Sequence, residues 1–292
     1  MATLAEWVEA ARPRTLPAAV APVLAGSAVA WFDRSFQPVL AGLALLVALA
    51  LQVGVNYAND YSDGIRGTDA DRVGPMRLVG SGKARPRQVL AAAVVCFAIA
   101  GLAGLLVVVL THYWWLLILG GVSIAAAWYY TGGRHPYGYL GLGELFVFIF
   151  FGLVAVAGTV YVQVGAVSAA TWWTAIAIGA LACAILVANN LRDLDGDRVA
   201  GKRTLATKLG DRHTRLFFAG LIAAAAIGVV AVAANSSWWA LLGLLMVVPL
   251  LRPGRDLLQG ASGRELIPVL KATGIAELIC AAGIFAGLLI AH

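Results

Sequence analysis

Residues 38–69 read PVLAGLALLVALALQVGVNYANDYSDGIRGTD. From Pro38 to Ala58 the run carries no charge, and then Asp60, Asp63 and Asp69 follow in quick succession. About 20 apolar residues suffice for a helix to cross the hydrocarbon core of a bilayer. The stretch therefore predicts a membrane-spanning helix whose end delivers carboxylates to the water boundary.

The rest of the chain extends this pattern. Its 292 residues are 61% hydrophobic and only 12% charged, with a mean hydropathy of +0.86. Such a chain cannot clothe a water-soluble surface, so lipid is the solvent for most of it. Nine apolar stretches appear, at 15–32, 38–58, 88–111, 113–131, 142–165, 169–190, 214–234, 237–251 and 269–291. They predict an all-α integral membrane protein, nine transmembrane helices in a single bundle. The eighth stretch is short.

The net charge of +6 is distributed asymmetrically, which argues against a nucleic-acid partner. If the spans alternate direction, one side receives Arg12, Arg14, the segment 59–87, Arg134, and the segments 191–215 and 252–271. That side carries 20 of the 21 basic residues, and only Arg34 lies opposite. The positive-inside rule then predicts a cytoplasmic N-terminus and an outside C-terminus. Trp31, Trp114, Trp115, Trp172, Trp173, Trp238 and Trp239 fall at the predicted outer ends, as an interfacial aromatic belt does. Cys96, Cys183 and Cys280 lie within spans and have no metal-site spacing. No secretory leader is expected, because Glu6 and Glu9 precede the first span.

The positive-inside rule does not explain acids. Asp60, Asp63, Asp69 and Asp71 follow the second span, and Asp193, Asp195 and Asp197 follow the sixth. The patterns are similar: Asn56-x-x-x-Asp60-x-x-Asp63 and Asn189-x-x-x-Asp193-x-x-x-Asp197. Four spans separate them, as in a parallel internal repeat. Continued as helices, these spacings put each aspartate pair on one helix face. Two acids so placed repel, and they crowd the negative end of the helix dipole. A bound cation would relieve both. Mg²⁺ suits an all-oxygen site shared with phosphate, and the closest histidine, His213, lies 16 residues past Asp197. Basic residues are interleaved with the acids: Arg66, Arg72, Arg77, Lys83, Arg192, Arg198, Lys202 and Arg203. These either grip a phosphate or anchor the loops to anionic lipid. A diphosphate held above an apolar bundle implies a substrate with a hydrocarbon tail, such as a polyprenyl diphosphate.

At these residues the sequence resembles the UbiA superfamily of intramembrane prenyltransferases. NDYSDGIRGTD (59–69) is similar to its N-D-x-x-D motif, and NNLRDLDGDRVAGKRTLATKLG (189–210) to its D-x-x-x-D helix and following Gly-Lys-Thr stretch. Where many members carry a third acid, this chain has Gly67. Further stretches, ARPRTLPAAVAPVLAG (11–26), GPMRLVGSG (74–82) and YYTGGRHPYGYLGLGE (129–144), resemble the menaquinone branch. The resemblance implies transfer of a polyprenyl chain to 1,4-dihydroxy-2-naphthoate, with loss of CO₂ and diphosphate, giving demethylmenaquinone. It also implies that Asp60, Asp63, Asp193 and Asp197 hold Mg²⁺. Asn56, Asn189, Arg72, Arg77, Lys202 and Arg203 would bind diphosphate, and Tyr137, Tyr139, Arg12 and Arg14 the acceptor. Loops 59–87, 132–141, 191–213 and 252–268 would form a cytoplasmic active-site face on one domain, 1–292. The same chemistry on 4-hydroxybenzoate or homogentisate, and a Mg²⁺ transporter, are the alternatives. Glu277, about two turns into the last span, is an expensive intramembrane carboxyl. A nearby hydroxyl or Lys271 is its expected partner.

Overall fold

The computed structural model describes residues 2–67 and 76–291. Arg72, and with it Asp69 and Asp71, lies outside the described residues. Among the described residues every regular element is a helix, with no strand. Lipid offers nothing to an unpaired N–H or C=O, so each apolar run must satisfy its backbone internally.

Helix α1 (Leu4–Ala10) and a tight turn (Pro13–Thr15) precede α2 (Pro17–Phe32), which is bent from them by 49°. Then come α3 (Pro38–Arg66), α4 (Pro86–Thr111) and α5 (Leu116–Tyr129). Helix α6 (Gly143–Val164) follows, wound wider between Phe148 and Ala157. Next are α7 (Ala169–Arg192), the short α8 (Leu194–Val199) and α9 (Leu205–Ala234), kinked at Gly210. A 3₁₀ segment (Trp238–Leu250) runs into α10 (Leu251–Leu258), and a turn (Gly263–Leu266) leads to α11 (Ile267–Ile290). Proline at the first helical position starts α2, α3 and α4, where its missing N–H costs nothing.

Each of the nine apolar stretches falls on helical structure. Among the described residues six helices are long and apolar enough to cross a membrane, or seven if the bent pair ending in α2 counts as one span. The chain is therefore a multi-pass membrane protein. The eighth stretch departs from the expected α-helix. At a rise of about 2.0 Å per residue, its 3₁₀ winding stretches 13 residues over roughly 26 Å, where an α-helix would reach roughly 20 Å.

The main core is built of small residues from α2, α6, α7, α9, the 3₁₀ segment and α11, including Ala25, Ala28, Ala177, Ala180, Ala276 and Ala281. Small residues let helix backbones approach, which in lipid is the main source of packing energy. A Cβ on Gly152 would lie 2.7 Å from the Gly179 Cα, so α6 and α7 cross nearly in contact. Helices α3 and α4 pair beside this core, with Tyr57, Leu78, Val89 and Phe97 buried between them and the loop. Glu277 is fully buried in α11. Neither of its carboxyl oxygens has a hydrogen-bond partner among the described residues, so the expected partner is not found.

Candidate active site

One cavity of about 1130 Å³ lies between the α3–α5 group and the core. Asp63, Arg77, Tyr139, Asp193, Asp197 and Lys202 line one part of it. Val47, Leu51, Leu105, Leu117, Phe150 and Val154 are among the residues that line the remainder. The two aspartate segments, 130 residues apart, thus meet at one polar mouth above an apolar limb.

Helix α3 delivers the first segment. Its 29 residues reach roughly 43 Å, longer than a hydrocarbon core of about 30 Å, so its last turns stand in the polar boundary. Gly67 ends it with φ +71°, a left-handed cap that glycine adopts without a Cβ clash. The helix does continue through the motif as expected, but its two acids are used differently. Asp60 is buried and accepts the backbone N–H groups of Leu78 at 2.7 Å and Val79 at 3.0 Å. It is absent from the cavity wall. Asp63 faces the cavity, accepts from the Arg77 guanidinium at 3.1 Å and takes a short hydrogen bond from the Tyr139 hydroxyl. Asp60 therefore fixes the loop that brings Arg77 to Asp63. Asn56 donates to the Ala11 carbonyl at 2.8 Å and to the Thr15 hydroxyl at 3.0 Å, tying α3 to the segment that carries Arg12 and Arg14. Both arginines line the cavity, and Arg12 has φ +55°.

The second segment corrects the expectation of one continuous helix. Helix α7 stops at Arg192, and Asp193 (φ −93°, ψ 7°) is the junction with α8. The Asp197 N–H still reaches the Asp193 carbonyl at 2.8 Å, so the acids stay one turn apart. Arg192 grips the Asp193 carboxylate bidentately at 2.7 Å per bond and donates to Asn189 at 2.9 Å. Lys202 stands 3.9 Å from Asp197 and 4.8 Å from the centre of the Tyr139 ring. Tyr139 thus joins the halves, its hydroxyl on Asp63 and its ring under Lys202. Arg203 is not on the cavity wall; its backbone N–H donates to the Tyr139 carbonyl at 3.1 Å.

Tyr137 stacks on Phe146 with ring centroids 4.0 Å apart and donates to the Ala126 carbonyl at 2.8 Å. Burial pushes its phenol above the usual range, so it stays protonated at neutral pH. Both rings line the cavity. Tyr130, Thr131 and Asn190 also line this wall and were not singled out by the sequence reading, and Arg192 was named there only among the interleaved basic residues. Asn190 and Arg192 lie inside the quoted second motif, and Tyr130 and Thr131 inside the quoted stretch 129–144, which were the available signals. Thr131 is placed by its hydrogen bond to Asn59 at 2.6 Å, a contact across 72 positions.

The donor set at the mouth is carboxylate and amide oxygen. Among the described residues no group of three or more His, Cys, Asp or Glu side chains forms a metal cage. Mg²⁺ takes oxygen ligands, one or two carboxylates with phosphate and water completing its shell, and the donors here are oxygens of that kind. Asp63 on one side, and Asp193 with Asp197 on the other, line the same cavity. Arg77 and Lys202 line it too, paired with Asp63 and Asp197.

Known proteins resemble this chain in sequence and fold. Residues 19–263 match the UbiA prenyltransferase family. The chain is 52% identical over 282 residues to a 1,4-dihydroxy-2-naphthoate octaprenyltransferase of Mycobacterium tuberculosis, covering 96% of each chain. It is 38% identical to the enzyme of that name from Escherichia coli K12, covering 91% of this chain and 89% of that one. A solved UbiA homolog from Aeropyrum pernix K1 superposes with a TM-score of 0.72 at 19% identity, covering 98% of this chain and 99% of the other. A UbiA homolog from Archaeoglobus fulgidus, bound to GPP and Mg²⁺, superposes with a TM-score of 0.69 at 15% identity, covering 97% and 99%. An all-helical membrane fold, paired aspartate segments at one cavity mouth and these relatives agree, and the chain belongs to the UbiA prenyltransferase family.

Proposed function

We propose that this prenyltransferase moves a polyprenyl chain from polyprenyl diphosphate to 1,4-dihydroxy-2-naphthoate, releasing CO₂ and diphosphate and leaving the ring as the hydroquinone, demethylmenaquinol. The observation that carries the reading is the single cavity whose charged mouth continues into an apolar limb. A diphosphate belongs at the mouth and its hydrocarbon tail in the limb. The names of the relatives support the naphthoate as acceptor.

In this reading Asp63, Asp193 and Asp197 hold Mg²⁺, which neutralises charge on the leaving diphosphate. Arg77 and Lys202 bind its oxygens, and Asn189 orients Arg192 and Asp193. Asp60 acts by setting the Arg77 loop. Tyr137 and Phe146 seat the acceptor ring, Tyr139 screens the allylic carbon from water, and Arg12 or Arg14 meets the acceptor carboxylate. Loss of CO₂ restores aromaticity, so no strong base is required. We also propose nine spans, counting α5 and the 3₁₀ segment, with the N-terminus cytoplasmic, the C-terminus outside and the cavity mouth facing the cytoplasm of the cell membrane. The basic-residue asymmetry supports this orientation.

The test is incubation of purified protein with polyprenyl diphosphate and each of 1,4-dihydroxy-2-naphthoate, 4-hydroxybenzoate and homogentisate, with Mg²⁺ or with EDTA. The expected result is Mg²⁺-dependent prenylation of the naphthoate alone. Prenylation of another acceptor but not the naphthoate overturns the acceptor assignment. Unchanged turnover in EDTA overturns the metal.

A further inference from the structure

Glu144 is the second residue of α6 and 5% exposed. A carboxyl group at such a place is costly, and in a membrane protein it is a functional candidate by default. Its Oε1 accepts a hydrogen bond from Nδ2 of Asn190 at 2.9 Å, while Oε2 is buried with no partner among the described residues. The start of α6 is held rigidly. The Cys183 thiol donates to the Glu144 carbonyl at 3.1 Å, and a Cβ on Gly143 would already press on Leu186 at 3.2 Å.

The consequence falls on Asn190, which lines the cavity. The asparagine turns its NH₂ toward Glu144, whose Oε1 accepts from it. Its carbonyl oxygen then faces away. That oxygen has no hydrogen bond within the described residues, and it is not among the buried unpartnered atoms, so it opens to the cavity. Without Glu144 the amide could rotate and present a donor instead.

We propose that Glu144 is a positioning residue: it fixes the Asn190 amide so that Oδ1 accepts a hydrogen bond from a ring hydroxyl of the aromatic acceptor. This rests on the prenyl-transfer reading above. The acceptor ring lies against Tyr137 and Phe146, which stack on the same wall, and the Asn190 bond sets its rotation. A hydroxyl that donates to an amide oxygen enriches its ring in electron density and holds the attacking carbon in line. Glu144 itself touches no substrate.

The experiment uses full-length protein and steady-state kinetics with both substrates varied. Glu144→Leu is expected to raise KM for the naphthoate by about tenfold, the scale of one lost hydrogen bond, and to leave KM for polyprenyl diphosphate within about twofold. Glu144→Gln, which retains a carbonyl acceptor for Asn190, is expected to recover most of that loss. Asn190→Ala should show the same selective rise, and adding Glu144→Leu to it should raise the acceptor KM no further. Should Glu144→Leu fail to fold, Asn190→Ala and Glu144→Gln carry the test. Equal rises in both KM values, additive effects in the double variant, or an unchanged acceptor KM in Asn190→Ala would overturn the inference. If the wild-type protein does not prenylate the naphthoate, the proposed function fails instead.

Discussion

Asp60 and Asp63 sit one turn apart on α3, yet the structure gives them different work. Both Asp60 oxygens are spent on the amides of Leu78 and Val79. Asp60→Ala leaves the buried Leu78 N–H unpaired, at roughly 1–3 kcal/mol, and frees the part-buried Val79 N–H, so a clear drop in thermal stability in detergent is expected along with loss of activity. Asp63→Asn and Asp193→Asn should instead stay folded and lose at least about a hundredfold in turnover, the scale of a lost electrostatic contact to the leaving group. Turnover and melting curves for the three variants check this division. The spacing of the acids was readable from the sequence, because helix geometry alone puts them on one face. Their partners were not, because Leu78, Arg77 and Tyr139 arrive from loops whose path depends on tertiary packing. Arg34→Ala, on the opposite face, should be near neutral.

At the scale of elements, apolar runs were legible because lipid leaves the backbone no alternative to helix. What the runs did not reveal is winding. The 3₁₀ geometry of Trp238–Leu250 depends on how closely α11 packs against it. A Cβ on Gly283 would lie 2.5 Å from the Leu242 backbone, and one on Gly287 2.2 Å from the Trp239 carbonyl. Gly287→Ala must therefore push two backbones apart, and a loss of about 1–3 kcal/mol is expected, measurable as a lower midpoint of thermal unfolding. The opposite case is Gly120 of α5, which lines the cavity with no atom within 4 Å of a built Cβ. Gly120→Phe should fold normally and fill part of the apolar limb. Turnover with a long-chain donor is then expected to fall by about tenfold relative to geranyl diphosphate, a loss typical of pocket sterics. The chain-length profile of the purified variant checks it.

For the whole molecule, the charge asymmetry makes a prediction that needs no knowledge of the site. Ser262→Cys, beside the turn before α11, should resist a membrane-impermeant thiol reagent in intact spheroplasts and react after permeabilisation. Asn235→Cys, at the end of α9, should react in both. The reverse pattern would invert the topology. Meeting of the two aspartate segments was foreseeable from their shared side, but a single cavity joining mouth to limb was not, since it is a space left by packing rather than a property of any segment. That space shapes the reaction cycle. Under the proposed function the donor and the product carry the same tail, so the limb holds both alike and contributes only uniform binding. What differs is the diphosphate. The charged mouth secures the donor and loses its hold once that group departs, so the prenylated hydroquinone is left with only its tail and ring to retain it.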